Sequence, residues 1–198
     1  MKICFTGTQS TGKSTLLEAI KGHSESMGDK DLNFLKNHSF LTELVRGFNR
    51  QNVAINEKTN FDSQILIFNE IVKNLLLVED FVTDRGLIDA LSYTHWAYHN
   101  GNFAENEKFI LSQQIFLTLR YIKKYDLIFY FPASDIELVG DGVRSENAEY
   151  RQKIDEIIYW YLTDMFKVPF ITLKGTVAER LTDFSIVCQS KLVELKNK

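Results

Sequence analysis

Residues 7–14 have the sequence Gly7-Thr8-Gln9-Ser10-Thr11-Gly12-Lys13-Ser14, and this stretch decides the fold that we expect for the chain. It matches the pattern G-x-x-x-x-G-K-[ST] in full. The apolar run Ile3-Cys4-Phe5 precedes it, and a helical pattern from Ser14 to Lys21 follows it. A strand before the glycines and a helix after them are the context in which this pattern binds nucleotide phosphates. The glycines let the backbone curl, so that N–H groups at the helix N-terminus face phosphate oxygens.

The loop pattern predicts which residues bind the nucleotide and which residue binds the metal ion. Lys13 is predicted to meet the β- and γ-phosphates, and Ser14 to offer its hydroxyl to Mg²⁺. The alternative is a glycine turn in which Lys13 is only a solvated helix charge; the complete and correctly flanked pattern disfavours it. The predicted nucleotide-binding residues are Gly7, Thr8, Gln9, Ser10, Thr11, Gly12, Lys13, Ser14 and Thr15.

The rest of the chain alternates apolar strands with amphipathic helices. Further strands are predicted at 39–41, 81–83, 127–131 and 170–173, and helices at about 42–50, 87–99 and 109–123. A three- and four-residue spacing predicts one buried helix face formed by Phe61, Ile65, Phe68, Val72, Leu75 and Leu76. The alternation favours a mostly parallel sheet covered on both faces. We therefore expect one α/β domain over residues 1–198, with a small lid at about 133–150.

The composition of the chain limits the classes of binding partner that we expect. The chain has 198 residues, and its net charge is −3 from 23 basic and 26 acidic side chains. A protein that follows a nucleic-acid backbone is usually strongly basic, so nucleic acid is an unlikely partner. Two cysteines do not form a disulfide scaffold or a metal-ligand spacing. The sequence shows no signal peptide and no bilayer-spanning apolar stretch, so we expect a cytoplasmic protein of a bacterium or a phage-infected cell. It leaves open whether the chain forms a homodimer.

The segment Phe81-Val82-Thr83-Asp84-Arg85-Gly86 supplies the second candidate site. An acidic residue at the carboxyl end of a neighbouring strand lies beside the phosphate loop in doubly wound folds. Asp84 could hold a water of the Mg²⁺ shell or accept the proton of an attacking hydroxyl. Motor-type ATPases commonly place Glu after this acid, whereas Arg85 predicts a grip on phosphate or on a polar acceptor. The alternative is a structural ion pair between Asp84 and Arg85.

The acceptor and the lid have weaker candidates. Glu43 could act as the general base or bind a sugar diol, and Arg46 with Arg50 could meet an anionic group; a solvated helix face is the alternative. Arg144, with Arg151 as second choice, could stabilise charge on the moving phosphoryl group from a closing lid. The alternative there is a surface loop with an incidental arginine.

The donor is predicted to be ATP. The chain has no Asp-x-x-Gly switch motif, no Asn-Lys-x-Asp guanine-reading motif and no Leu-Ser-Gly-Gly-Gln signature. Backbone exposed after the last strand, at Gly175 and Thr176, could contact adenine.

Several segments together resemble a known group of proteins. They are the loop at 7–14, Thr-Glu-Leu-Val-Arg at 42–46, Thr-Asp-Arg-Gly-Leu-Ile-Asp-Ala-Leu-Ser-Tyr at 83–93, Asp-Gly-Val-Arg at 141–144 with Tyr-Arg at 150–151, and Gly-Thr-x-x-Glu-Arg at 175–180. They resemble NadR-type ribosylnicotinamide kinase domains and related thymidylate-kinase-like AAA proteins of P-loop type from bacteria and phages. The resemblance implies a three-layer α/β/α P-loop NTPase fold with five parallel strands in the order 2-3-1-4-5, ATP with Mg²⁺, and transfer of the γ-phosphate to a nucleoside or nucleotide-like acceptor.

The resemblance also implies roles for single residues. Gly12, Lys13 and Ser14 would hold ATP and Mg²⁺, Asp84 and Arg85 would lie at the acceptor, and Arg144 would belong to the lid. Thymidylate kinases usually carry an Arg-Glu-Pro-like motif after the second strand, and its absence here disfavours a nucleoside monophosphate. Ribosylnicotinamide-type nucleosides and deoxynucleotides remain the expected acceptors. The alternatives are a regulatory ATP-binding switch and a kinase of hydroxylated bases in DNA, which the acidic balance disfavours.

Overall fold

A computed structural model describes residues 1–26, 31–42, 54–135 and 147–197. Strands and helices alternate along most of the described chain, except that two helices, Leu87–His99 and Phe109–Tyr121, follow each other without a strand between them. The strands are β1 (Lys2–Thr6), β2 (Ser39–Leu41), β3 (Phe81–Thr83), β4 (Leu127–Tyr130) and β5 (Ile171–Thr172). The helices are α1 (Lys13–Glu25), α2 (Phe61–Leu77), α3 (Leu87–His99), α4 (Phe109–Tyr121), α5 (Ala148–Trp160) and α6 (Val177–Lys196).

The five strands form one parallel sheet in the order β2-β3-β1-β4-β5, which confirms the predicted fold. β1 is the central strand, and its Cys4 lies opposite Thr83 of β3 and Ile128 of β4. Because all strands run in the same direction, their carboxyl ends meet at one edge of the sheet. The segments that follow β1, β3, β4 and β5 therefore converge there.

Two apolar cores cover the two faces of this sheet. Ile3 and Phe5 of β1 pack with α1 and α6 on one face, where Leu16 and Phe184 are fully buried. Cys4 points to the other face and packs with α2, α3 and α5. Side chains alternate between the faces of a strand, so Ile3, Cys4 and Phe5, which are buried on both faces of the central strand, are all apolar. This arrangement is the expected three-layer sandwich.

The predicted buried face of α2 is partly wrong. Phe68 and Leu75 are buried as expected, but Leu76 is 43% exposed, and Ile67 and Ile71 lie in the core instead. The helix carries Ile or Leu on almost every side, so its apolar spacing fits more than one face. Contacts with the sheet, and not the spacing, decide which face is buried.

Two predicted segments lie largely outside the described residues, namely the helix at 42–50 and the lid at 133–150. At the edges of the lid, Ala133–Asp135 form a short 3₁₀ turn and Asn147 caps α5 by accepting from Tyr150 N at 3.0 Å. None of the helices in the described part of the chain is both long and apolar enough to cross a bilayer.

Gly86, which precedes α3, permits the close approach of this helix to β1. A Cβ atom added at Gly86 would lie 2.3 Å from Cys4 Sγ. The backbone of Gly86 is extended, with φ of −125°, so alanine is excluded here by contact and not by backbone conformation.

We expect Gly86→Ala to lower the free energy of unfolding by about 1–3 kcal/mol, because an overpacked core must shift to make room. In a Cys4→Ala background the added methyl group has space, so the same change should cost less. Urea denaturation of both single variants and the double variant measures this difference. Strictly additive losses would contradict the contact.

Candidate nucleotide and acceptor site

The phosphate loop curls tightly between β1 and α1. Gly7 has φ of 149°, and a Cβ there would lie 2.5 Å from the Phe131 carbonyl oxygen. Gly12 adopts a left-handed conformation, with φ of 82°, immediately before α1. Only glycine takes up both conformations without strain. No side chain caps the N-terminus of α1, so its first N–H groups are available to an anion.

Lys13 folds back over this loop. Its Nζ donates to the carbonyl oxygens of Gly7 and Thr8 at 2.6 and 2.5 Å, and to Thr11 Oγ1 at 3.1 Å. Only 6% of the residue is exposed. The cation is thus held inside the loop, at the place where a polyphosphate would require it.

Ser14 and Asp84 connect the loop to the end of β3. Ser14 Oγ donates to Asp84 Oδ2 at 2.7 Å. The other carboxylate oxygen, Oδ1, is buried and accepts no hydrogen bond from any described residue. A buried polar atom without a protein partner indicates an ion or water in the working site. A hydroxyl beside a spare carboxylate oxygen fits the oxygen ligands that Mg²⁺ prefers.

Arg85 faces α3. Its Nη1 lies 3.3 Å from Tyr93 Oη and 3.8 Å from Asp89 Oδ1, and its guanidinium stands 5.3 Å from the Tyr93 ring centroid. The ion pair of Arg85 is therefore with Asp89 and not with Asp84. Burial works to lower the pKa of Arg85, but Tyr93, Asp89 and Asp84 outweigh it and raise that pKa. The guanidinium stays charged in the interior.

Arg85 forms part of a cavity beside the phosphate loop. The empty space of the cavity, counted together with its open mouth, is about 410 Å³. One part of its wall is apolar and the rest carries charged, hydroxyl and amide groups. The lining residues are Ile55, Asn56, Gln64, Ile67, Ile71, Arg85, Asp89, Ala90 and Tyr93.

Gln64 is the cavity residue that sequence reasoning missed most completely. Its side-chain oxygen accepts from Thr94 Oγ1 at 2.9 Å, and its amide nitrogen donates to Thr59 Oγ1. These bonds fix the orientation of the amide, and the residue is only 2% exposed. A single glutamine in a helical pattern carries no signal of such a position. Asp89 and Tyr93, by contrast, were within the segment 83–93 that carried the resemblance.

Two arginines bind carbonyl groups of the phosphate loop. Arg151 donates to the carbonyl oxygens of Gln9 and Ser10 at 3.2 and 3.3 Å. Arg180 donates to the Thr11 carbonyl oxygen at 2.7 Å. Arg151, predicted as a lid or substrate residue, thus lies on α5 against the loop. Burial lowers its pKa, while Asp155 opposes that effect.

Asp135 links the turn between β5 and α6 to Arg180, which contacts the phosphate loop. Its carboxylate accepts from Gly175 N at 2.8 Å and pairs with Arg180 Nη2 at 2.5 Å. Gly175 has φ of 86°, and Thr176 caps α6 in a capping box with Glu179. Their adenine contact stays a prediction. Arg180, which is 1% exposed, was quoted in the resemblance but given no role.

Of the other predicted site residues, Glu43, Arg46 and Arg144 lie outside the described residues.

Comparisons with known proteins agree with this architecture. A family described as "AAA domain" matches residues 2–180. Deoxyadenosine kinase from M. mycoides, solved with the products dCMP and a flexible dCDP bound, is similar with a TM-score of 0.69 at 19% identity, covering 96% of this chain and 99% of that chain. The same enzyme with bound dATP gives a TM-score of 0.65 at 19% identity, covering 96% and 100%.

The NadR protein in complex with NR is similar with a TM-score of 0.58 at 16% identity, covering 87% of this chain and 43% of that chain. Among curated proteins, none matches the chain. At these identities the structural likenesses concern the fold alone.

Arg180→Gln is expected to lower the free energy of unfolding by about 3–5 kcal/mol, because it leaves Asp135 and the Thr11 carbonyl group without their buried partner. Arg120→Gln is the control, since Arg120 is an exposed arginine of α4. Urea denaturation of both variants tests this expectation. Equal, small losses would show that Arg180 does not secure the loop.

Proposed function

The chain belongs to the AAA domain family, and from this premise we propose that it is an ATP-dependent kinase that transfers the γ-phosphate to a nucleoside or nucleotide-like acceptor. One observation carries the proposal. The phosphate loop, with Lys13 and the Ser14–Asp84 pair, is hydrogen-bonded to Asp89 and Tyr93, which line a cavity together with Arg85. A site for the donor's terminal phosphate thus adjoins a space for a second molecule.

On the donor side, Lys13 and the N–H groups at the start of α1 hold the phosphates of ATP. Ser14 and the spare oxygen of Asp84 would hold Mg²⁺, which when bound neutralises charge on the β- and γ-phosphates. Phosphoryl transfer requires little covalent chemistry from the protein. Positioning and charge neutralisation therefore supply most of the rate.

On the acceptor side, the cavity suits a nucleoside in its chemistry. Its isoleucines offer an apolar surface to a flat base, and Gln64 and Asn56 bring amide groups to the same space. Arg85, Asp89 and Tyr93 form a polar end that suits a sugar or a phosphate. The same fold occurs in a deoxyadenosine kinase solved with dCMP and in NadR solved with NR, and the acceptor class is proposed by analogy with those proteins.

A base must accept the proton of the attacking hydroxyl, and two residues are proposed for this role. Asp84 has a buried oxygen without a hydrogen-bond donor among the described residues, and it can accept the proton only where that oxygen does not bind Mg²⁺. Glu43 follows β2 in the sequence, and β2 is the neighbour of β3 in the sheet.

Arg46 would help to bind the acceptor. The segment 133–150 is proposed as the lid that excludes water, so that ATP is not hydrolysed.

The function is tested by measuring ADP release from ATP with and without a panel of nucleosides and nucleotides. We expect one class of acceptor to stimulate ADP release and to yield a phosphorylated product in mass spectrometry. Lys13→Ala should lower that transfer by about 100-fold or more, because it removes a charge that stabilises the transition state. Lys21→Ala, an exposed lysine of α1, is the matched control.

The opposite result would identify a different kind of protein. ATP turnover that no acceptor stimulates, with no phosphorylated product, would favour a regulatory ATP-binding switch. Full transfer by Lys13→Ala would refute the phosphate assignment.

Arg144 is proposed to act from the lid on the transferred phosphoryl group. We expect Arg144→Ala to lower kcat by about 100-fold while changing the ATP dissociation constant much less, because the interaction forms mainly in the transition state. Arg120→Ala, at an exposed position of α4, should change neither quantity. Equal losses of kcat and ATP affinity would remove the transition-state role.

A further inference from the structure

One face of α3 is directed at the phosphate loop. Asp89 and Tyr93 are four residues apart, so they lie on the same side of this helix. Each forms a hydrogen bond to the phosphate loop, and each also contacts Arg85. The same two side chains line the cavity beside the loop. A single helix face therefore touches the proposed donor and acceptor sites.

Asp89 links the backbone of the phosphate loop to the backbone of the segment that follows β3. Its Oδ1 accepts from Gly7 N at 3.1 Å, and its Oδ2 accepts from Gly86 N at 2.9 Å. Gly7 begins the phosphate loop and Gly86 directly follows Arg85. One carboxylate, only 1% exposed, thus fixes the distance between the two segments. Burial raises the pKa of Asp89, and Arg85, Lys13 and the two N–H groups oppose that rise.

Tyr93 links the side chain of Arg85 to the side chain of Gln9 in the phosphate loop. Its hydroxyl donates to Gln9 Oε1 at 2.8 Å and accepts from Arg85 Nη1 at 3.3 Å. Thr8 Oγ1 donates to the same oxygen of Gln9 at 2.7 Å. Gln9 belongs to the phosphate loop and is 1% exposed. A continuous chain of hydrogen bonds therefore runs from Arg85 in the cavity through Tyr93 to the loop.

We propose that Asp89 and Tyr93 are positioning residues that couple the acceptor cavity to the phosphate loop. This inference rests on the kinase function proposed above. The loop follows β1 and Arg85 follows β3, so the two halves of the site come from different strands. In-line transfer needs the reacting atoms about 3–3.5 Å apart, and a misplacement of about 1 Å can cost 100-fold in rate. The side chains of Asp89 and Tyr93 hold the phosphate loop and Arg85 at a fixed distance from each other.

The coupling must act in both directions. If a ligand in the cavity restrains Arg85, the links through Asp89 and Tyr93 restrain the loop as well. Thermodynamic linkage then requires a bound nucleotide to strengthen acceptor binding by the same factor. A purely structural role would stabilise the fold without making either ligand sensitive to the other.

Tyr93→Phe separates these two roles. It removes only the hydroxyl and keeps the ring that faces Arg85 and lies 6.2 Å from the Tyr150 ring. We expect kcat for the acceptor identified by the panel to fall about tenfold, the effect of one hydrogen bond. The ATP dissociation constant and Tm should stay close to wild type, and the mutual strengthening of the two ligands should be weaker, because only the Asp89 link remains.

Tyr98→Phe is the matched control, because it removes the same atom from the same helix. Tyr98 contacts His99 and Lys108 and does not line the cavity. Its kcat and ligand coupling should match wild type. Equal kcat for the two variants would overturn the proposal, as would a Tyr93→Phe variant that loses ATP affinity and Tm in proportion to kcat.

Hydrogen exchange tests the Asp89 link without any acceptor. Asn can accept at only one oxygen, so Asp89→Asn should speed exchange at one of the two amides, that of Gly7 or that of Gly86. Asp126→Asn is the control, since Asp126 Oδ2 accepts from Lys2 N at 2.6 Å at the other end of β1. Unchanged exchange at Gly7 and Gly86 would overturn the link. Absence of transfer by the wild-type chain with every acceptor would instead refute the kinase function, and the coupling with it.

Discussion

The parallel pairing of β1 with β3 is the constraint on which the site depends. Cys4 lies opposite Thr83 in this pairing, so both strands end at the same level of the sheet. The phosphate loop leaves one strand and Asp84 follows the other, which brings Ser14 within 2.7 Å of the carboxylate. A slip of one residue would turn every side chain of a strand to the opposite face and separate this pair. The apolar cores on both faces fix the register.

A loop that directs its N–H groups inward leaves carbonyl groups that need donors elsewhere. Lys13, Arg151 and Arg180 supply such donors to carbonyl groups between Gly7 and Thr11. These cations come from α1, which directly follows the loop, and from α5 and α6, which are distant from it in sequence. Hydrogen bonds from these buried cations hold the loop in its curled form.

The sequence predicts the local parts of this protein better than its distant contacts. The glycine pattern identified the phosphate loop, and the resemblance supplied the strand order that the sheet confirms. The position of Arg180 on the loop and the role of Gln64 in the cavity were missed, because each depends on partners remote in sequence. The error on α2 has the same origin, since an all-round apolar helix does not reveal its buried side. The functional roles of Glu43, Arg46 and Arg144 stay predictions.

The two cysteines lie on opposite faces of the sheet, and this placement has a practical consequence. Cys4 is buried beneath α3, whereas Cys188 is buried in the core formed with α1 and α6. Burial raises the pKa of each thiol, so neither forms the reactive thiolate readily in the native fold. Alkylation at either sulphur requires the covering layer to open. The chain therefore carries one built-in reporter of local unfolding for each half of the sandwich.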